Sequence, residues 1–309
     1  MAGATVAILG SSGFVGSAIR SQMMRDGWEV RPIESPRLFT AGTSAVGIVE
    51  SLKKLDHVVR KMQEQLNGVE VIINAAGLAK PSGQNIEALF GANALLPLVV
   101  AEASRRVDLR RFIHISSASV QGNVAVLDES DHYGALSPYA LSKAVGEQSL
   151  LLSLDPRVII LRPTSVHGKG RSLTRRLAKF ARSPLSSVLD PGDDPTPQVL
   201  VTNVASLASL LCQNDVIPPP IVLQPWEGMT TSTFLEVISG RRPRRIPRGV
   251  GNSTLAATRL LSKALPITAF QRRLELLWLG QMQVRGWVDS IGFRAPDGPE
   301  AWEALARSI

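Results

Sequence analysis

Cysteine is almost absent from this chain, since Cys212 is the single copy among 309 residues. A lone thiol cannot form an internal disulfide, so the sequence predicts a protein of the reducing cytoplasm. Cys212 follows two leucines in a pattern typical of the buried face of a helix. We therefore interpret it as a small core residue and not as a nucleophile.

Long apolar runs are also missing. The longest lies around residues 94–103, contains Pro97 and is too short to span a bilayer. Met1 leads directly into a strand-like run with no basic leader, so we expect neither a signal peptide nor a transmembrane segment. The four histidines are scattered without the spacing of metal ligands, and we expect no metal site.

Basic residues outnumber acidic ones by 34 to 26, which gives a formal net charge of +8. Much of this excess lies in an arginine-rich run at residues 241–248. The run is either a solvated loop or a surface that attracts an anionic ligand. Zinc-finger spacing, an aromatic RNA platform and a basic zipper are all missing, so nucleic acid is not an expected partner.

A nucleotide-binding pattern begins near the amino terminus. Residues 5–9 form a continuous aliphatic run, as expected of a buried parallel strand, and a helix is predicted through Arg25. Between them, Gly10 permits a tight turn, Gly13 lets the backbone approach a pyrophosphate, and Gly16 lets the helix pack closely on the sheet. The amino terminus of the helix is then expected to face the phosphates.

Glu34 follows a second predicted strand, residues 29–33, at the distance from the glycine loop where such sites carry an acidic residue. A carboxylate there accepts hydrogen bonds from the adenosine ribose and repels a 2′-phosphate, which slightly favours NAD. Arg31 and Arg37 flank Glu34 and would serve NADP instead, so this choice stays open.

Three further strands are predicted at residues 69–73, 112–115 and 158–161, with helices over residues 52–66 and 86–105. Small residues after the first of these strands let a cofactor lie against the backbone at the ligand edge of an open α/β sheet. The serine hydroxyls that follow the strand at residues 112–115 either contact a substrate or belong only to a turn. The segments concerned are Asn74-Ala75-Ala76-Gly77 and Ser116-Ser117.

Tyr139 and Lys143 lie four residues apart on a predicted helix that runs to Ser149, so both side chains project from one face. A free phenol has a pKa of about 10 and is a poor acid or base near neutrality. A nearby ammonium stabilises the phenolate and brings that pKa toward the range where general acid–base catalysis is efficient. The spacing alone is weak evidence, because many ordinary helices contain it by chance.

Five motifs occur in a fixed order along the first half of the chain. They are Gly10-x-x-Gly13-x-x-Gly16, Asn74-Ala75-Ala76-Gly77, Ser116-Ser117, Tyr139-x-x-x-Lys143 and Leu161-Arg162-Pro163. In this order they resemble the extended short-chain dehydrogenase/reductase family, in particular its NAD-dependent nucleotide-sugar epimerase/dehydratase branch. The resemblance implies an α/β fold with a doubly wound, Rossmann-type parallel sheet and a smaller, mainly helical C-terminal region. We expect a dinucleotide-binding domain at residues 1–168, completed by parts of 199–225, and a substrate-binding cap at 169–309.

The resemblance also implies residue roles. Tyr139 would be the catalytic acid/base, Lys143 would bind the nicotinamide ribose and tune Tyr139, and Ser117 would hydrogen-bond the reacting hydroxyl or carbonyl. The residues expected to contact the cofactor, NAD or NADP, are Gly10, Ser12, Gly13, Phe14, Val15, Gly16, Glu34, Ala75, Ala76, Gly77, Asn93, Ser116, Tyr139, Lys143, Pro163, Ser165 and Val166.

The chain departs from the family pattern at several positions. Ala118 and Ser119 stand where dehydratases of this branch carry Asp-Glu, which disfavours a dehydratase of that type. Gln121 and His167 replace tyrosines that are frequent in the family, and Asn203 replaces a frequent aspartate. These changes concern the substrate more than the redox chemistry.

The sequence therefore predicts an NAD(P)-dependent epimerase of a nucleotide-diphosphate sugar. A ketoreductase of a nucleotide sugar or another small carbonyl compound uses the same residues and is the alternative. A non-catalytic NAD(P)-binding sensor or assembly protein is a third hypothesis, although such proteins commonly lose the tyrosine or lysine retained here. The expected partner is a small-molecule substrate, and a homodimer is left open.

Overall fold

Short strands alternate with helices along the protein, whose computed structural model describes residues 4–79, 85–213, 218–264 and 268–309. The strands are β1 (Thr5–Leu9), β2 (Glu29–Ile33), β3 (Val71–Asn74), β4 (Arg111–Ile115), β5 (Val126–Leu127), β6 (Val158–Arg162), β7 (Ser165–His167), β8 (Ser187–Leu189), β9 (Gln198–Leu200), β10 (Ile221–Leu223), β11 (Arg244–Ile246) and β12 (Met282–Gln283).

The helices cover both faces of the main sheet and most of the C-terminal region. They are α1 (Phe14–Arg25), α2 (Ala45–Leu52), α3 (Asp56–Leu66), α4 (Ile86–Phe90), α5 (Leu96–Ser104), α6 (Pro138–Leu151), α7 (Ser172–Ala181), α8 (Val201–Gln213), α9 (Thr231–Ser239), α10 (Arg248–Ala264), α11 (Thr268–Leu279), α12 (Trp287–Ser290) and α13 (Pro299–Arg307). A π-helical segment, Gly91–Leu95, joins α4 to α5, and a 3₁₀ turn covers Ala118–Gln121.

The central sheet has six parallel strands in the order β10-β6-β4-β3-β1-β2. Strands β1, β3, β4 and β6 are buried along their whole length, which is why their sequences are nearly continuous aliphatic runs. The chain moves outward from β1 to β2 on one side and from β3 to β10 on the other. The predicted doubly wound Rossmann-type sheet is therefore confirmed.

Two apolar cores lie on the two faces of this sheet. Side chains of α2, α3, α5 and α6 pack on one face, where Ile72 and Phe112 are fully buried. Those of α1 and α8 pack on the other face, against Ile8 and Ile73. Cys212 belongs to this second core, as predicted, and burial raises the pKa of its thiol to about 12.

The C-terminal region has its own smaller cores. Phe234 of α9 and Trp302 of α13 pack with Val188 of β8, and Leu255 and Trp278 form a further cluster with Leu189. Short parallel pairs join distant segments here: β7 with β9, β8 with β11, and β5 with β12. Strand β10 lies in the main sheet and α8 packs on α1, so both elements belong structurally to the half of the chain that contains this sheet.

The boundaries differ from the sequence prediction in three places. The helix expected over residues 52–66 begins only at Asp56, as α3, and a separate helix that was not predicted, α2, ends at Leu52. Small polar residues immediately before α2 concealed this helix, and the Ser44 hydroxyl caps its first turn. Part of the arginine-rich run, which we interpreted as a loop or a ligand surface, is the strand β11, and four helices follow it among the described residues.

One helical stretch among the described residues, Ile86–Ser104, is long and apolar enough to cross a membrane. However, 72% of its most apolar window is buried inside the protein. Its interior position accounts for its composition.

Candidate active site

The glycine-rich loop lies at the carboxyl edge of β1, where the sheet order reverses between β2 and β3. Gly10 has a φ of +73°, and a Cβ there would lie 2.6 Å from the backbone nitrogen of Ala76. A Cβ on Gly16 would lie 2.1 Å from the carbonyl oxygen of Gly10. Glycine at both positions therefore lets the loop fold against itself and against the next strand's end.

The first turn of α1 is open to an anion. Gly13 is its N-cap residue, so no side chain caps the turn, and Ser12 and Gly13 are exposed. Unpaired backbone N–H groups and the positive end of the helix dipole meet at this point. The arrangement fits the pyrophosphate of a dinucleotide.

The segment after β3 is held by two buried asparagines. Asn74 Oδ1 accepts from the Ala76 amide at 3.0 Å, while the Asn93 carboxamide binds both the N–H and the C=O of Leu78, at 2.9 and 2.8 Å. A Cβ on Gly77 would lie 2.7 Å from Asn93 Oδ1, so a larger residue would displace this hydrogen-bonded carboxamide. Asn93, a predicted cofactor contact, thus positions the loop from within the π-helical segment.

Tyr139 meets Ser117 at the start of α6. Ser137 caps this helix through its side chain, and Pro138 occupies the first turn. These residues place Tyr139 in the first turn, where its phenol lies close enough to Ser117 for that hydroxyl to lower its pKa. The Ser117 hydroxyl also lies 2.9 Å from that of Ser119. The structure therefore brings together the predicted acid/base and the predicted substrate-binding hydroxyl.

The Tyr139 phenol is protonated at neutral pH. Burial raises its pKa above the usual value, while the Ser117 hydrogen bond and the positive charge of Arg171 act in the opposite direction. The Arg171 guanidinium lies 4.7 Å from the centre of the Phe14 ring, beside the glycine loop. The groups that lower the pKa of Tyr139 are thus Ser117 and Arg171, and not Lys143 as expected.

Lys143 is buried and points into the sheet. Its Nζ donates to the carbonyl of Ile115 at 2.9 Å, and burial lowers its pKa to about 8 against the opposing charge of Glu147. A Cβ on Gly77 would lie 3.3 Å from this ammonium. Lys143 therefore borders the same loop that Asn93 holds.

A fully buried ion pair stands behind Lys143. Glu147 and Arg162 approach to 2.6 Å, with both side chains inaccessible to solvent. Ser116 donates to the same carboxylate, and Arg162 also donates to the carbonyl of Ser130 at 2.6 Å. The hydroxyl of Ser116, another predicted cofactor contact, is thus committed to this network.

Three more predicted cofactor contacts, Pro163, Ser165 and Val166, follow β6 and have different local partners. Ser165 Oγ is 3.0 Å from His167 Nε2, and Val166 packs in the core beneath α1. The Pro163 carbonyl accepts from the amide of Ala118 at 2.8 Å. Their part in cofactor binding stays a prediction.

Glu34 is exposed, directly after β2. Of its two basic neighbours, Arg31 donates to the carbonyl of Asn67 at 2.8 Å and is thereby drawn toward the end of α3. Arg37 is exposed on the loop that follows Glu34.

The residues that depart from the family pattern, Gln121, His167 and Asn203, each hydrogen-bond to other parts of the protein. Gln121 holds Asp128 through its amide nitrogen, at 2.6 Å, and its carbonyl oxygen, at 3.1 Å. His167 is buried, lies 2.7 Å from Gln198 Oε1, and has its pKa lowered to about 4 by burial. Asn203 joins Glu227 to the backbone of Asp297.

Sequence reasoning missed Glu147 and Arg171. Glu147 follows Lys143 at i+4 on α6, so the two side chains lie on the same buried face of this helix. A buried carboxylate at this position was therefore detectable from the sequence. Arg171 carried no comparable signal, because only the return of the chain after β7 brings it toward Tyr139.

The NAD dependent epimerase/dehydratase family profile matches residues 6–219. The chain belongs to this family. It is thus an NAD(P)-dependent enzyme of the short-chain dehydrogenase/reductase type, as predicted, and the open first turn of α1 fits that cofactor.

Curated family members resemble the chain over about two thirds of its length. A ceramide reductase of Caulobacter vibrioides is 29% identical over 222 residues, which cover 69% of this chain and 62% of that protein. A putative UDP-glucose 4-epimerase of Methanocaldococcus jannaschii is 24% identical over 231 residues, 69% of this chain and 75% of that protein. The match thus spans less than two thirds of the first of these relatives.

The fold extends over nearly the whole chain in solved structures. The UDP-glucuronic acid 4-epimerase of Bacillus cereus, in complex with NAD, matches with a TM-score of 0.66 at 17% identity. The match covers 98% of this chain and 96% of that one. The C-terminal region therefore shares the architecture of the epimerase fold.

Proposed function

We propose that this protein is an epimerase that inverts a hydroxyl-bearing carbon of a nucleotide-diphosphate sugar. The observation that carries the proposal is the approach of the Tyr139 phenol to the Ser117 hydroxyl at the start of α6. An acid/base and a second hydroxyl are then available to one substrate oxygen. The relatives named as UDP-glucose or UDP-glucuronic acid epimerases support a nucleotide sugar as the substrate class.

The nicotinamide cofactor supplies hydride acceptance and donation when it is bound. The open turn of α1 and Gly77 would hold it, and Lys143 borders that position. Ser117 holds the reacting oxygen of the substrate. In its phenolate form, Tyr139 receives the hydroxyl proton at its phenol oxygen during oxidation and returns it during reduction, so no net proton or electron is consumed in a cycle.

NAD is the preferred form of the cofactor in this proposal. Glu34 is exposed where an adenosine ribose is expected, and Arg31 is occupied by the Asn67 carbonyl. A carboxylate at this position repels a 2′-phosphate. Arg37 remains the basic group available to NADP.

Tyr139→Phe tests the catalytic assignment. We expect this variant to bind NAD with nearly unchanged affinity and to lose about 10²–10⁴ in turnover of UDP-glucose or UDP-glucuronic acid, as for removal of a general acid/base. Tyr133→Phe is the matched control, because Tyr133 is the other tyrosine of the chain and lies over Arg162. Full turnover in Tyr139→Phe would exclude the mechanism.

A ketoreductase is the second candidate. The Caulobacter vibrioides relative is named a ceramide reductase, and burial keeps the Tyr139 phenol protonated, ready to donate to a carbonyl. A reductase releases oxidised cofactor after each turnover, whereas an epimerase keeps it through the cycle. Dialysis of the purified protein distinguishes them: retained NAD with no net oxidation supports the epimerase, and stoichiometric consumption of NAD(P)H supports the reductase.

A further inference from the structure

A small basic pocket lies where the end of α7 meets the starts of β8 and β11. Its volume is about 260 Å³, below the roughly 300–1,000 Å³ typical of sites for drug-sized ligands. Four arginines, two serines and two apolar residues line it. They are Arg182, Arg241, Arg242, Arg244, Ser183, Ser186, Ala181 and Pro184.

The pocket is separate from the carboxyl edge of the neighbouring strands. Strands β8 and β11 run parallel with Ser187 opposite Arg244, so their amino ends share one edge, and the pocket lies there. The other two arginines of residues 241–248 contact acidic residues beyond the carboxyl ends. Arg248 lies 2.9 Å from Asp194, and Arg245 lies 3.7 Å from Asp190. The arginine-rich run is thus divided between two places.

Ser186 is the group that marks this pocket as a ligand site. Its side chain is buried at 6% exposure, and its Oγ has no hydrogen-bond partner among the described residues. The neighbouring Ser183 hydroxyl, by contrast, donates to the Phe180 carbonyl at 2.7 Å. Because a buried hydroxyl without a partner costs free energy, an acceptor bound in the pocket would stabilise the protein.

The arginines retain donors for such an acceptor. Arg182 uses one N–H on the Ala306 carbonyl at 3.0 Å, and Arg242 lies 3.3 Å from Glu236, the acidic contact of the cluster. Each guanidinium has five N–H groups in a planar fork that matches phosphate oxygens. Arg241 and Arg244 are exposed at the rim, so an anion has access from solvent.

We propose that this pocket binds a phosphate group, with Arg241 and Arg244 contacting its oxygens and Ser186 donating from the floor. The phosphate belongs either to a small free anion or to the headgroup of an anionic lipid. The proposal does not depend on the reaction catalysed at Tyr139.

Calorimetric titration of the full chain with pyrophosphate tests the site, with NAD and UDP in excess to occupy nucleotide sites. We expect saturable binding that weakens about tenfold or more in Arg241→Gln/Arg244→Gln, because charge-assisted hydrogen bonds are lost. Ser186→Ala should weaken it severalfold. Arg245→Gln is the control: it removes one positive charge from β11, as the Arg244→Gln change does, but Arg245 does not line the pocket.

Absence of saturation, equal weakening by Arg245→Gln, or unchanged affinity in Ser186→Ala would each overturn the proposal. Thermal unfolding of every variant confirms that it is folded. Sedimentation with phosphatidylglycerol vesicles, compared with phosphatidylcholine vesicles, then identifies the source. Sedimentation lost in Arg241→Gln/Arg244→Gln but kept in Arg245→Gln supports a lipid headgroup. Pyrophosphate binding without sedimentation supports a free anion.

Discussion

At the scale of single residues, the acidity of Tyr139 depends on groups far from it in sequence. Ser117 comes from the end of β4, and Arg171 comes from the turn before α7. Arg171 is half-buried and stacked on Phe14, so its charge is fixed beside the glycine loop. A cation held in low dielectric stabilises a phenolate more than a solvated one does. Arg171 therefore acts with Ser117 to oppose the effect of burial on the pKa of Tyr139.

Replacing Arg171 by glutamine is expected to raise the pKa of Tyr139. Removal of a positive charge disfavours the phenolate, so at a given pH less of the enzyme can accept a proton from an alcohol. The pH midpoint of kcat for alcohol oxidation should therefore move upward. Arg175→Gln, an exposed arginine one turn along α7, provides the control. A midpoint that is the same in both variants would contradict this role.

At the scale of elements, α6 connects the catalytic residues to the sheet. Tyr139, Lys143 and Glu147 follow one another at intervals of four on this helix. Glu147 is bound to Arg162 of β6 and to Ser116 after β4, so three adjacent elements are joined beneath the site. This network fixes the helix that carries the acid/base.

The contribution of the buried network to stability can be measured by comparing two ion pairs of equal length, one buried and one exposed. Glu147–Arg162 and Glu50–Lys53 are both 2.6 Å apart, but the first is fully buried and the second is exposed. We expect Glu147→Gln to lower the free energy of unfolding by about 3–5 kcal/mol, because Arg162 is left as an uncompensated buried charge. Glu50→Gln should cost about 1 kcal/mol or less. Urea unfolding of both variants measures the difference, and similar losses would contradict it.

At the scale of the whole molecule, Glu129 joins the C-terminal region to the main sheet. Its carboxylate accepts from the amide of Leu223 in β10 at 3.0 Å and from the amide of Trp287 in α12 at 2.9 Å. The pairing of β5 with β12 lies directly beside it. One side chain thus satisfies backbone donors from two parts of the chain.

Glu129→Gln is expected to lower the free energy of unfolding by about 1–3 kcal/mol. The amide group presents only one acceptor oxygen, so one of the two backbone N–H groups loses its partner. Asp131→Asn changes an exposed carboxylate two residues away and serves as the control. Unfolding by urea gives both values, and a loss no larger than that of Asp131→Asn would show that the link contributes nothing.

Local patterns decided much of the fold in advance. The aliphatic runs of β1, β3, β4 and β6 predicted a buried parallel sheet, because strands covered on both faces must be apolar throughout. Strands β1 and β2 have the bounds predicted from sequence. Helix α2 was missed because it is short, contains Gly47 and follows a stretch of small polar residues, and it is stabilised by the cap at Ser44 and the burial of Ile48.

The sequence by itself determined the family, the cofactor class and the candidates Ser117, Tyr139 and Lys143, because these follow from spacing within short segments. Only the tertiary structure decided what surrounds them. It brought Arg171 toward Tyr139, placed Glu147 against Arg162, and divided the arginines of residues 241–248 between a pocket and acidic partners. Charge interactions depend on distance and burial, and neither is fixed until strands distant in sequence are paired.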